Sequence, residues 1–242
     1  MEKVRLSGDS ANYFLGSMGL SFNTNNRSIN DDGETVSFIG LSANSDFAYI
    51  SEKHSYLLIS EFHYNATSDD PINSSGYGHF RTNFLRKQSV SYELFSQLQY
   101  DQGRGMQNRW LVGGGLRFRL KKTEKNSFYA GVGAMYEHEQ WNYPGPREDN
   151  EQLNIWKSSN YISGRFQVND HIHLNIISYY QTGYDPEAEY FRHRISGDLN
   201  LLVNVTSKLS LNTAVFAGYE NRPVVPINKL VYSVTNGIIL SF

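Results

Sequence analysis

A transmembrane, up-and-down antiparallel β-barrel of about twelve strands is the all-β fold class that this sequence predicts. Three observations predict it. Apolar and polar residues alternate with a period of two in about twelve successive segments. The connections alternate between tight and long, as in barrels with short turns at one rim and loops at the other. Aromatic residues, led by 17 Tyr and 14 Phe, gather near segment ends as two interfacial belts would.

The segments run in order as follows. Strand 12–24 opens on Tyr13 and Phe14. Strand 35–50 is the least regular, because Gly40 to Asp46 blurs its alternation. Strands 54–66 and 76–86 flank a long connection, Thr67–Ser75. Strand 90–101 sets Val90, Tyr92, Leu94, Leu98 and Tyr100 against Glu93, Gln97, Gln99 and Asp101. Strand 107–121 sets Trp110, Val112, Leu116, Phe118 and Leu120 against Arg109, Arg117 and Arg119. Strand 127–142 carries Glu137 and Glu139 between Tyr136 and Trp141. Strand 152–167 holds Arg165, and 171–183 holds His171 and His173. Strand 190–204 sets Phe191, Ile195, Leu199, Leu201 and Val203 against Arg192, Arg194, Asp198 and Asn200. Strand 208–219 ends on Tyr219, and 229–242 finishes the chain. The tight connections are Ser51–Lys53, Lys87–Ser89, Thr123–Asn126, Val168–Asp170 and Val205–Ser207. The larger ones are Thr67–Ser75, Gln102–Met106, Tyr143–Glu151, Tyr184–Glu189 and Glu220–Asn228.

A soluble β-sandwich would also alternate, with its apolar face as core. It would need a crossover connection, and none is evident. Its strands would be ~5–6 residues long, well short of these. A tilted strand crossing a bilayer needs ~9–11 residues in the membrane alone.

Composition excludes several classes. The chain has 242 residues and no cysteine, hence no disulfide framework and no thiolate metal site. Its net charge of −2 does not suit a nucleic-acid binder. Mean hydropathy is −0.50, and no run approaches the ~18 apolar residues of a membrane helix. Residues 1–11 read as a periplasmic N-terminal arm and 12–242 as the barrel domain. MEKVRLSGDS has no apolar leader core, so an exported protein would be numbered here from its mature start or from a replacement Met1.

The last strand, VTNGIILSF, points Val234, Ile238, Leu240 and Phe242 to one side. A final strand must close against the first, since an open edge is not tolerated in lipid. Ile238, Leu240 and terminal Phe242 resemble the signal read by the barrel-assembly machinery of Gram-negative bacteria. An even strand count would place both ends in the periplasm and the long loops outside the cell.

The stretch FRTNFLRKQSVSYELFSQLQYDQGRGMQNRWLVGGGLRFRL, residues 80–120, precedes FYAGVGAMYEHEQW, residues 128–141. With Ser158–Tyr161 and the segment Phe191–Ile195, these resemble the family of salt-induced outer-membrane proteins, a domain family of unknown function. The version is most similar to Bacteroidota forms. The similarity spans roughly residues 12–242 and is strongest from 78 to 165. It implies a barrel and an outer-membrane address, and it supplies no activity.

The candidate site is a charge network on the inner wall: Glu93, Arg109, Arg117, Arg119, Glu137, Glu139, Arg165, Arg192, Arg194 and Asp198. A hairpin about Thr123–Asn126 sets Arg109 roughly opposite Glu139 and Gly115 roughly opposite Gly133. A turn near Arg104 brings Glu93 diagonal to Arg117. Buried charges must be paired, and this wall offers pairs. Gly113, Gly115, Gly131 and Gly133 should leave a dent, filled by Tyr129 or another inward ring. His171 and His173 form an H-x-H pair without a third ligand, and His63 beside Glu61 is no more complete. The loop acids Asp31, Asp32, Asp69, Asp70, Asp185, Glu187 and Glu189 read as solvated charge.

No G-x-S-x-G, paired-carboxylate or phosphate-loop pattern is present, so no enzyme activity, cofactor or metal is expected. The expected partners are outer-membrane lipid and lipopolysaccharide, the assembly machinery during insertion, and an envelope protein; nucleic acid is not among them. Two functions follow: a plugged barrel with a structural or partner-binding role, or a narrow passive channel for small polar solutes or ions.

Overall fold

The computed structural model describes residues 12–29, 35–67, 71–143 and 149–240. The proposed N-terminal arm and Phe242 lie outside the described residues. Twelve strands follow one another in an antiparallel meander, each beside its sequence neighbours, in a single sheet ordered β1 to β12. They are β1 Tyr13–Ile29, β2 Thr35–Ile50, β3 Ser55–Thr67, β4 Pro71–Phe84, β5 Val90–Asp101, β6 Met106–Lys122, β7 Asn126–Asn142, β8 Asn150–Gln167, β9 Ile172–Asp185, β10 Tyr190–Asn204, β11 Leu209–Glu220 and β12 Leu230–Leu240.

The strand count and most boundaries agree with the alternation. The loop lengths agree less well. β3 runs to Thr67 and β4 begins at Pro71, where the sequence suggested a long connection, Thr67–Ser75. Proline is tolerated as the first residue of a strand, where its missing N–H costs no ladder bond, and β4 begins on Pro71. The Gln102–Arg104 connection winds one turn of 3-10 helix. Asp101 caps its start, and Gly105 ends it at φ 81°, a left-handed backbone that glycine adopts without strain. Of the larger connections, 143–149 and 221–229 remain long.

Hydroxyl side chains fix several tight turns, as Ser and Thr do when they replace a backbone partner. The Thr123 hydroxyl oxygen accepts the Asn126 N–H at 3.0 Å, and that of Thr206 accepts the Leu209 N–H at 3.0 Å. Ser51 does the same for His54 at 2.9 Å.

The chain divides into two compact units. One comprises residues 1–84, 94–113 and 137–154; the other comprises 85–93, 114–136 and 155–242. In the first, the ladder aligns Ser17, Asp46, Ile59 and His79 on one face. On the other face Phe14 stacks on Phe47 at 5.6 Å and Tyr49 on Tyr56 at 6.1 Å. In the second, the register sets Leu199 against Ile176 and Val215, and Val203 against Ile172 and Leu211.

Burial runs opposite to that of a soluble sheet. On β7 the alternate residues Met135, Glu137, Glu139 and Trp141 are buried, whereas Val132, on the other face, is 58% exposed. On β8, Lys157, Ser159 and Tyr161 are buried while Trp156 is 69% exposed. Val112, Leu116, Leu211, Ile238 and Leu240 are exposed, and Ile172, Leu174, Leu199, Leu201 and Val203 are half-buried. Large apolar residues such as Val132 and Trp156 are therefore offered to the surroundings, while carboxylates on the opposite face are buried beside Met135 and Trp141.

Candidate functional site

Three acid–arginine clusters occupy the polar face. The first lies in the first unit. Arg109 of β6 sends Nη2 to Glu137 Oε2 of β7 at 2.9 Å, a charge-assisted hydrogen bond. Its Nε lies 3.2 Å from Glu139 Oε1, an ion-pair distance without hydrogen-bond alignment. Both carboxylates are 0% exposed and the guanidinium 11%. Trp141 Nε1 donates to Glu139 Oε2 at 2.8 Å, and Arg109 Nη1 donates to Gln99 Oε1 at 3.2 Å. A strand period of two places Glu137, Glu139 and Trp141 on one face, so one arginine faces two acids and a ring supports the second acid.

The second cluster lies in the second unit. Glu93 of β5 is 4% exposed. Its Oε2 accepts the Tyr161 hydroxyl at 2.6 Å, and its Oε1 lies 3.8 Å from Arg117 Nη1. The Arg117 guanidinium sits 3.8 Å from the centre of the Tyr129 ring, a cation–π contact. Tyr161 packs on Tyr179 at 5.5 Å. Its ring also fills the space over Gly131, where an added Cβ would overlap Tyr161 Cε1. The dent is thus filled by an aromatic ring, and that ring is Tyr161; Tyr129 lies against Arg117 instead. Gly115 and Gly133 face each other closely: a Cβ on Gly115 would lie 2.7 Å from Gly133 Cα.

The third cluster joins two connections of the second unit. Arg192 Nε donates to Asp185 Oδ2 at 2.7 Å, and its Nη1 donates to the Arg222 carbonyl at 2.7 Å. The Tyr190 ring makes a cation–π contact with each guanidinium, 5.1 Å from Arg192 and 4.1 Å from Arg222. Arg194 Nε donates to Glu220 Oε1 at 2.6 Å. Asn221 accepts the His193 N–H and donates to the Phe191 carbonyl. Asp185, read from sequence as solvated loop charge, is buried. Burial alone would raise its pKa. The hydrogen bond from Arg192, the N–H groups of Ala188 and Glu187 and the arginine's charge outweigh that, and the carboxyl titrates below its ordinary value.

The remaining predicted residues are placed differently. Arg119 donates from Nη2 to the Arg86 carbonyl at 2.9 Å. Arg165 shares the face of Tyr161 but is exposed near the end of β8. Asp198 is exposed and sits opposite Ile177 and Phe216. His171 lies in the turn before β9 with Nδ1 3.1 Å from the Asn204 carbonyl. Among the described residues no three His, Asp or Glu side chains group as a metal site. Sequence reasoning missed Lys157, Asp185 and Tyr161 as buried polar members. Alternation flags Lys157 and Tyr161, since both share the face of Ser159.

The fold and site define an all-β protein: a twelve-strand antiparallel meander with acid–arginine–aromatic clusters on its polar face. The chain matches the family described as "Protein of unknown function, DUF481" over residues 30–231, most of its length, and it belongs to that family. A comparison with curated proteins finds no match.

Proposed function

We propose that the chain is an integral outer-membrane β-barrel, a Bacteroidota-type member of its family, with a charge-packed, plugged lumen and a structural or partner-binding role without catalysis. In this reading β12 closes against β1, the apolar face meets lipid, and the polar face lines the lumen. Ile238 and Leu240 of β12 face the lipid, and lipopolysaccharide surrounds the outer rim. One observation carries it. Glu137 and Glu139 are 0% exposed while Val132 and Trp156, on the same two-strand segment, are largely exposed. In water that arrangement would cost ~25 cal/mol for each Å² of apolar surface left uncovered. In a bilayer it costs nothing, because lipid covers the apolar face.

Planar-bilayer recording of protein refolded into vesicles tests the reading. The expected result is insertion with little or no current. A steady current that changes on substituting Arg109 or Arg117 would replace the plugged barrel with the narrow channel. Failure to insert into vesicles would reject both.

A further inference from the structure

We infer that the apolar face carries a binding site for one lipid acyl chain, a groove between β4, β5 and β6. The inference rests on the bilayer reading above. The groove encloses about 360 Å³ in the first unit. Its lining includes Gly76, Gly78, Leu98, Tyr100 and Trp110, with Asn108 toward the Gln102–Gly105 turn. A Cβ built on Gly78 meets no atom within 4 Å, so the space is open where a side chain would stand. Tyr100 leans over Gly76 and shares a 3.1 Å hydrogen bond with the Ser74 hydroxyl.

The groove is graded along its length. Leu98, 68% exposed, marks its apolar part. Asn108, whose Nδ2 donates to Gln140 Oε1 at 2.8 Å, puts an amide pair at the other. A lipid has the same gradation: a hydrocarbon chain leading to ester oxygens that accept hydrogen bonds. No carboxylate lines the groove, and its one charged residue, Arg109, is already held by Glu137 and Gln99, so a chain lying there would strand no unpaired charge. Val112, two residues after Trp110 on β6, is exposed as well. Trp110 and Tyr100 are the residue types that settle at the level where chain meets headgroup.

Vesicles of phosphatidylcholine doped with a brominated-chain analogue test this, because bromine quenches tryptophan at contact. The chain has 3 Trp. Trp156→Phe leaves Trp110 as the surface reporter, and Trp110→Phe leaves Trp156, exposed on β8 and not part of the groove's lining. Trp141, fully buried, stays in both as constant background. A retained chain should make Trp110 quenching saturate at low brominated fraction, with about tenfold preference over bulk lipid, equivalent to about 1.4 kcal/mol. Trp156 quenching should rise in proportion to the brominated fraction. Gly78→Leu, for which the backbone has room, should return Trp110 to proportional quenching.

Proportional quenching at both tryptophans, unchanged by Gly78→Leu, would overturn the groove and leave the bilayer reading standing. Quenching at neither would overturn both. A wild-type dimer that Gly78→Leu dissociates would assign the groove to a second copy and overturn the lipid.

Discussion

Replacing Glu139 with Gln separates a packed wall from a wet one. The substitution keeps the side chain's size and leaves an oxygen to accept the Trp141 N–H, now at 2.8 Å. It removes one charge, 3.2 Å from Arg109 Nε. If water reached the pair freely, the loss would be under about 1 kcal/mol, as for exposed ion pairs. Here the acid is 0% and the guanidinium 11% exposed, so water can replace little of the lost attraction. Breaking a buried pair by removing one partner costs ~3–5 kcal/mol. Arg109 keeps Glu137 at 2.9 Å, which offsets part of that. The expected cost is about 2–3 kcal/mol, at or just below the lower end of that range. Urea titration in lipid vesicles, followed by tryptophan emission and by the mobility of unheated protein on gels, measures it. Glu137→Gln should give a similar loss, because it removes the shorter contact of the same guanidinium. A change under about 1 kcal/mol for both variants would mean that the wall is solvated, and the argument from burial would fail.

Arg in place of Leu116 or Leu199 should destabilise the protein in vesicles by about 2–4 kcal/mol if the site lies near the bilayer midplane; a neutral result in the same urea titration would reverse the assignment of faces. Gly131→Ala should dislodge the Tyr161 ring and cost about 1–3 kcal/mol, as overpacking does, with a loss of near-ultraviolet circular dichroism; an unchanged spectrum would refute the seat. Asp185 is the last residue of β9, beyond the ~9–11 residues that a crossing requires. Because its folded pKa is depressed, its stabilising effect is present above the unfolded pKa, near 4, and is lost as pH falls through the lower folded value. The stability gap between wild type and Asp185→Asn should therefore close below about pH 4; a gap that persists well below that range would show that the carboxylate's charge is not what matters.

The fold was legible because strand periodicity is local: each segment carries its own two-residue signature. The Arg109–Glu139 and Glu93–Arg117 contacts were legible too, since each follows from one hairpin register. Loop lengths were not, because a proline ahead of a polar run looks like a turn until its neighbours show that it can begin a strand, as Pro71 does. Asp185 was misread for a related reason. Sequence gives a loop acid's charge but not its partners, and its burial depends on Arg192, seven residues on, and on the backbone at Glu187 and Ala188.

Tyr161 marks the boundary of what pairwise register can foresee. It lies on β8 and hydrogen-bonds Glu93 on β5, passing over two intervening strands. Three strand spacings of ~4.8 Å amount to ~14 Å on a flat sheet. Strand side chains stand roughly perpendicular to their sheet, so on a flat one the two would rise side by side that far apart; their meeting at 2.6 Å means that the sheet curls between them. The glycines make the curl possible. At Gly115 and Gly133 the β6 and β7 backbones approach so closely that a Cβ on either would strike the other strand. At Gly131 the missing Cβ leaves the ring room to cross. Glycines that look like weak points in the alternation are therefore what allows an acid and a tyrosine three strands apart to meet. Tyr161 thus holds one oxygen of the buried Glu93, while Arg117, on the adjacent strand and backed by the Tyr129 ring, lies 3.8 Å from the other. A polar face built this way holds its charges between fixed partners, which favours a wall that stays packed over one that yields to a passing ion.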